Sequence, residues 1–231
     1  MRNVNIVARY ESKLLRRDIV FLGFVVIALV GISLWQLIKQ GRVNVFWYKV
    51  ALPSSFPFFS MYYYNLVQVL IALFVCMEVV YRERKKDAME VFLCRPFRNS
   101  EYCIGRFLGI FRMFLFVNIC VLLVCMYINL WVVGAPFNVW IYVFYLFTLS
   151  IPTLIFVLGC ALSISAMVKN RPLSVLVLGL FGLGVYFYLD EWQFGAFDFW
   201  GRNLPNMFSD VVGHPDLKGY LLHRLTYTGL G

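Results

Sequence analysis

Long uncharged apolar runs alternate along this chain with short polar segments that are mostly basic. Ile19–Ile38 has no charge, and Tyr62–Val80 has one, Glu78. Further apolar runs cover about Met113–Val133, about Val139–Val168, and Leu173–Leu189. A helix needs about 20 apolar residues to cross a hydrocarbon core about 30 Å thick. The pattern therefore predicts an all-α polytopic bundle with five complete transmembrane spans over residues 19–189. The first run is not a signal peptide: it is too long, Glu11 and Asp18 precede it, and no small-residue cleavage site follows. Residues Leu221–Gly231 turn apolar again after Arg224 and read as the opening of a sixth span that stops early. A fragment of a longer gene product is favoured over a tail that ends at the outer interface.

The segments between the runs have their own periodicity. Within residues 1–18, Val4–Arg17 places Val7, Tyr10 and Leu14 at helical spacing among Arg9, Lys13, Arg16 and Arg17. That predicts an amphipathic helix lying in the headgroup plane. Residues 81–106 predict a helix from about Arg82 to Cys94, a break at Pro96, and a second helix from Ser100 that continues into the third span. Proline biases the preceding residue, Arg95, away from helix. Asn99 and Ser100 are good N-caps, and Glu101 sits favourably in the next first turn. Two helices hinged at Pro96 make a loop stiff enough to pass a push to the spans. Residues 190–231 begin with an aromatic stretch, including Trp192, Phe194, Phe197, Phe199 and Trp200, that suits an outer interfacial belt.

Composition strengthens the membrane reading. Of 231 residues, 61% are hydrophobic and only 14% charged, which excludes disorder for the bulk of the chain and a disulfide-stapled secreted domain. The net charge of +9 fits basic loops facing anionic lipid headgroups better than nucleic acid. With the N-terminus inside, 14 Lys and Arg fall on the cytoplasmic side and six on the other. The positive-inside rule selects that orientation. The six cysteines form no C-x-x-C pair and lie far from His214 and His223, so no metal site is expected.

Charges inside spans are expensive and mark functional candidates. Glu78 and Arg112 qualify; both lie near expected cytoplasmic ends, where they can snorkel or pair with each other. Asn65, Gln68, Asn118 and Asn129 are candidates for interhelical hydrogen bonds. Gly105 and Gly109 form a G-x-x-x-G, and Pro152 is a candidate kink in the fourth span. No carboxylate pair sits at mid-membrane, which argues against an ion-coupled carrier.

The loop carries a resemblance. Glu83 and Arg84, then Asp87, Ala88 and Glu90, apolar Phe92 and Leu93, Pro96, and finally Arg98, Glu101, Gly105, Arg106 and Gly109 look like the first cytoplasmic loop of the ABC-2 (type-2 ATP-binding-cassette) transporter permeases. The order of an amphipathic N-terminal helix, a span, an outer loop, a second span and this loop is similar too. The resemblance implies that residues 81–106 form a coupling loop, with Glu83, Arg84, Asp87, Glu90, Pro96, Arg98, Glu101 and Gly105 at an ATPase-docking surface. It also implies a separate ABC-type ATPase subunit, a second permease copy or homologous permease, and a place in a bacterial inner membrane. Residues of the 190–231 segment would then form gate helices. The chain has no G-x-x-x-x-G-K-[ST] phosphate loop. It is therefore expected to be no enzyme and to bind no cofactor itself, ATP acting through the partner. The alternative is a non-transporting scaffold or sensor whose basic loop binds another cytoplasmic partner.

Overall fold

The computed structural model describes residues 2–39, 55–83, 98–133, 137–168, 170–184 and 216–231, and every regular element among them is helical. Among the described residues, four helices are long and apolar enough to cross a membrane: Ile19–Ile38, Phe56–Tyr81, Asn99–Trp131 and Val139–Met167. The first matches the predicted run end to end. The fifth predicted span, Leu173–Leu189, is helical over its described part in α7 (Arg171–Gly184). Residues 185–189 lie outside the described residues.

The chain begins with α1 (Arg2–Arg17) and, after a break at Asp18, continues as α2 (Ile19–Lys39). Asp18 caps α2: its Oδ1 accepts from the Val20 amide at 2.9 Å. Next comes α3 (Ser55–Glu83), which starts seven residues before the predicted Tyr62. Pro57 does not prevent this, because a first-turn N–H has no intrahelical acceptor. The following helix, α4 (Asn99–Ile128), extends through a π-helical turn at Asn129–Val133. It starts one residue before the expected Ser100, so Arg98 takes the N-cap position without a side-chain cap, and neither Asn99 nor Ser100 caps. The fourth span is composite: α5 (Val139–Tyr145), a π-helical turn at Leu146–Ser150, and α6 (Ile151–Met167). The last element is α8 (Leu217–Leu230), capped by Asp216.

Contacts across the interfaces give the helix directions. Ser60 lies by Cys125, Gln68 by Asn118 and Val79 by Arg106, so α3 and α4 are antiparallel. Phe21 meets Phe114 edge-on at 5.5 Å and Gln36 meets Cys125, so α2 runs parallel to α4. Tyr220 meets Thr148 and Tyr227 meets Phe156, so α8 runs parallel to the fourth span. The buried faces of these helices make one aromatic-rich core. Their outer faces expose large apolar residues such as Ile27, Leu70, Leu123 and Phe147, as a hydrocarbon surrounding requires.

The 33-residue helix from Asn99 to Trp131 is about 50 Å long, well beyond a hydrocarbon core of about 30 Å. Its surplus first turns carry α1. The two run parallel: Asn3 meets Glu101, Val7 meets Gly105, and Ser12 meets Gly109. The buried stripe of α1 is Val7, Ala8, Glu11 and Leu15, whereas Tyr10, expected in the stripe, is 58% exposed. The reason is the partner surface. A Cβ on Gly105 would lie 2.8 Å from the Val4 carbonyl oxygen, and one on Gly109 would lie 2.7 Å from the Glu11 Cβ. Such a seat admits small residues at close approach and leaves no room for a tyrosine.

Replacing Gly109 with Ala should therefore undock α1. Overpacking of this kind costs about 1–3 kcal/mol. Limited trypsin digestion should cut at Lys13–Arg17 faster, while membrane insertion of the four spans stays unchanged.

Candidate functional site

The described residues include the two edges of the predicted coupling loop. Arg84, Asp87, Glu90 and Pro96, and nearly all of the predicted Arg82–Cys94 helix, lie outside them. Glu83 is the last residue of α3. Arg98 is exposed and extended at the start of α4. Glu101 accepts from the Asn3 side-chain amide at 3.2 Å, and Gly105 forms part of the α1 seat. Arg106 is the residue that ties the edges together. It is buried, its Nη2 donates to the Val79 carbonyl of α3, and its guanidinium carbon lies 5.7 Å from the Tyr102 ring centroid. The end of α3 and the beginning of α4 are thus joined across the mouth of the hairpin.

The predicted intramembrane polar residues divide. Arg112 does not pair with Glu78. It is exposed and turns to α1, where Nη1 donates to the Asn5 side-chain oxygen at 3.1 Å. Glu78 is half-buried across from the α1–α2 break. Gln68 and Asn118 do bond: Asn118 Nδ2 donates to Gln68 Oε1 at 2.6 Å and to the Phe114 carbonyl at 2.8 Å. Asn65 is fully buried one turn from Gln68, with neither amide atom hydrogen-bonded to a described residue. Asn129 donates to the Tyr142 hydroxyl at 2.8 Å and joins α4 to α5. Gln36 Nε2 donates to the Cys125 thiol at 2.7 Å. These groups form a polar seam down one side of α4.

A second polar site went unread in the sequence. Arg224, on α8, is 1% exposed. Its Nε donates to the Thr148 carbonyl at 2.8 Å, and its Nη2 donates to the Leu149 carbonyl at 3.0 Å and the Thr153 hydroxyl at 2.8 Å. Thr148 stands four residues before Pro152, which has no N–H to return to it. The π-helical turn disturbs the same stretch, where the Ile151 amide bonds back five residues to Leu146. Lipid cannot hydrogen-bond a freed carbonyl, so the protein must supply a donor, and Arg224 supplies several. Tyr220 adds a hydroxyl contact to Thr148 Oγ1 at 3.1 Å. Two signals were present: a proline in mid-span, and a single permanent charge within the apolar Gly219–Gly231 stretch.

The chain matches no protein-family model, no curated protein and no solved structure.

The Arg224–Pro152 relation is testable by a double-mutant cycle. Arg224→Leu should destabilise the detergent-solubilised protein by about 1–3 kcal/mol, because buried carbonyls lose their donors. Pro152→Ala restores an amide to Thr148 and should remove part of that loss. A coupling of about 0.5–3 kcal/mol between the two sites, read from thermal unfolding, is expected. Simple additivity would disprove the relation.

Proposed function

We propose that this chain is the membrane-spanning permease subunit of an ABC-2-type, ATP-driven transporter of the exporting kind. In this reading five spans cross a bacterial cytoplasmic membrane with the N-terminus inside. Two copies, or this chain and a homologous permease, line a path between them. Two cytoplasmic ATPase subunits dock under residues 82–105, hydrolyse the ATP, and tilt the helices through the loop.

One observation carries the reading: the two edges of that loop are mechanically joined. Arg106 fastens the start of α4 to Val79 near the end of α3, and α1 is seated along the same turns of α4. A force applied to residues 84–97 would therefore reach three helices together rather than fray one helix end. A loop that serves only to connect two spans needs no such bracing. The four membrane-length helices and the amphipathic first helix support the same layout.

Charge reversal at Glu90 and Glu101 should lower co-purification of the ATPase about tenfold, the size of a single strong interface contact, and leave membrane insertion intact. Glu101 also holds Asn3, so Glu90→Lys alone separates docking from α1 seating. Unchanged ATPase recovery would refute the docking surface. Recovery of a different cytoplasmic protein, and no ATPase, would favour the scaffold or sensor.

A further inference from the structure

On α1, Asn5, Arg9, Ser12 and Arg16 follow one another at i, i+4, i+7 and i+11, the spacing of a single helix flank. Two of the four bond to α4. Ser12 Oγ donates to the Gly109 carbonyl at 3.0 Å, and the Asn5 side-chain oxygen accepts from Arg112 Nη1 at 3.1 Å. This flank therefore borders α4, and Arg9, one turn after Asn5, stands beside the bay that Arg112 enters. Arg9, Arg16 and Arg112 are exposed, and none pairs with a carboxylate among the described residues. Glu11, the one carboxylate of α1, is buried in the glycine seat on the opposite side of the helix.

On α4 the same bay marks a boundary. Arg112, Phe116, Ile119, Leu123 and Tyr127 form an unbroken exposed stripe at helical spacing. Tyr127 and Trp131 lie with ring centroids 6.1 Å apart at its far end, and membrane interfaces favour both residue types. Counting back about 20 residues from Trp131, or about 30 Å, reaches the level of Arg112. The basic bay thus stands at the opposite headgroup level, at the head of an apolar strip that faces hydrocarbon.

We propose that this bay between α1 and α4 seats an anionic phospholipid, of which phosphatidylglycerol is the simplest. Arg112 and Arg9 hold the phosphate between two helices, and Arg16 adds charge one turn beyond Ser12. An acyl chain lies along Phe116, Ile119 and Leu123. Guanidinium groups suit the task because they stay charged and present several N–H donors to phosphate oxygens. A zwitterionic lipid would bring its own cation toward three guanidinium groups. A water-soluble phosphate has nothing to place along the apolar strip. The inference does not rest on the transport reading.

Native mass spectrometry of the detergent-solubilised whole chain tests it, after reconstitution with equal amounts of phosphatidylglycerol and phosphatidylcholine of the same acyl chains. The expected result is about a tenfold preference for phosphatidylglycerol, the size of two basic residues at a charged surface. Arg9→Gln with Arg112→Gln should abolish the preference. Glutamine keeps a donor for Asn5, so α1 retains that contact. Lys13→Gln with Arg17→Gln removes the same charge from the outer face of α1 and should leave most of the preference. Arg9→Gln alone should lower it severalfold. Equal retention of the two lipids by the native protein, which needs no variant, would overturn the proposal. Equal losses in the two double variants would show diffuse surface charge rather than a seat, and would overturn it too. So would glycerol phosphate binding as tightly as the lipid.

Discussion

The interior of a bilayer offers no water, and the placement of polar side chains in this bundle follows from that one constraint. An unmet carbonyl or amide in hydrocarbon costs several kcal/mol, so each break in helical bonding must be answered from within the protein. Pro152 makes one such break, at the π-helical turn of the fourth span. The answer comes from more than 70 residues away, where Arg224 reaches Thr148 and Leu149. A guanidinium suits the task because its several N–H groups can serve several acceptors at once. The acceptors in turn stabilise a charge that would otherwise be unwelcome there. Proline and arginine, each unfavourable alone in a span, become tolerable as a pair, and the pairing aligns α8 with the fourth span.

The small residues of α4 obey a different rule. Small residues let two helix backbones approach closely, so that van der Waals contact holds them together. Gly105 and Gly109 provide such contact, and the helix they receive is α1 rather than another span. A G-x-x-x-G read as a span-to-span motif therefore has a second use here. It holds an amphipathic helix along the part of α4 that outruns the hydrocarbon, with Asn3, Asn5 and Ser12 adding polar contacts at the rim of the seat.

The four membrane-length helices were legible because a nearly uncharged run of that length fits little besides a membrane crossing. The continuity of α4 from residue 99 was legible from the proline in the sequence before it and from the first-turn Glu101. The start of α3 was not, because Ser55–Met61 mixes aromatics with serine and proline and so falls outside the run that ends at Val80. The face of α1 was only half legible. Periodicity shows that a stripe exists, but the choice between Tyr10 and Ala8 depends on glycines nearly a hundred residues later. The same holds for Arg224 and Arg106: a chain shows a charge in apolar surroundings without showing which carbonyl waits for it. Local pattern thus located elements, and long-range hydrogen bonding located the sites.

The helices also associate unequally, and part of the polar seam lies where association is weaker. α1 and α2 pack chiefly on α4, whereas α3 and α8 pack chiefly on α6. Between these two groups run the bonds of Gln68 to Asn118 and Arg106 to Val79. Interhelical hydrogen bonds in membranes contribute only about 0.6 kcal/mol each on average, because a separated partner finds substitutes. The Gln68–Asn118 bond thus fixes the register of α3 against α4, while the buried guanidinium of Arg106 fastens their loop ends. The glycine seat and the Arg224 site tie helices within each group, α1 to α4 and α8 to the fourth span. Under the proposed function, a displacement delivered through the braced loop would move α3 and α4 together at the end that Arg106 fastens, and would be resisted further at the glycine seat and the Arg224 site.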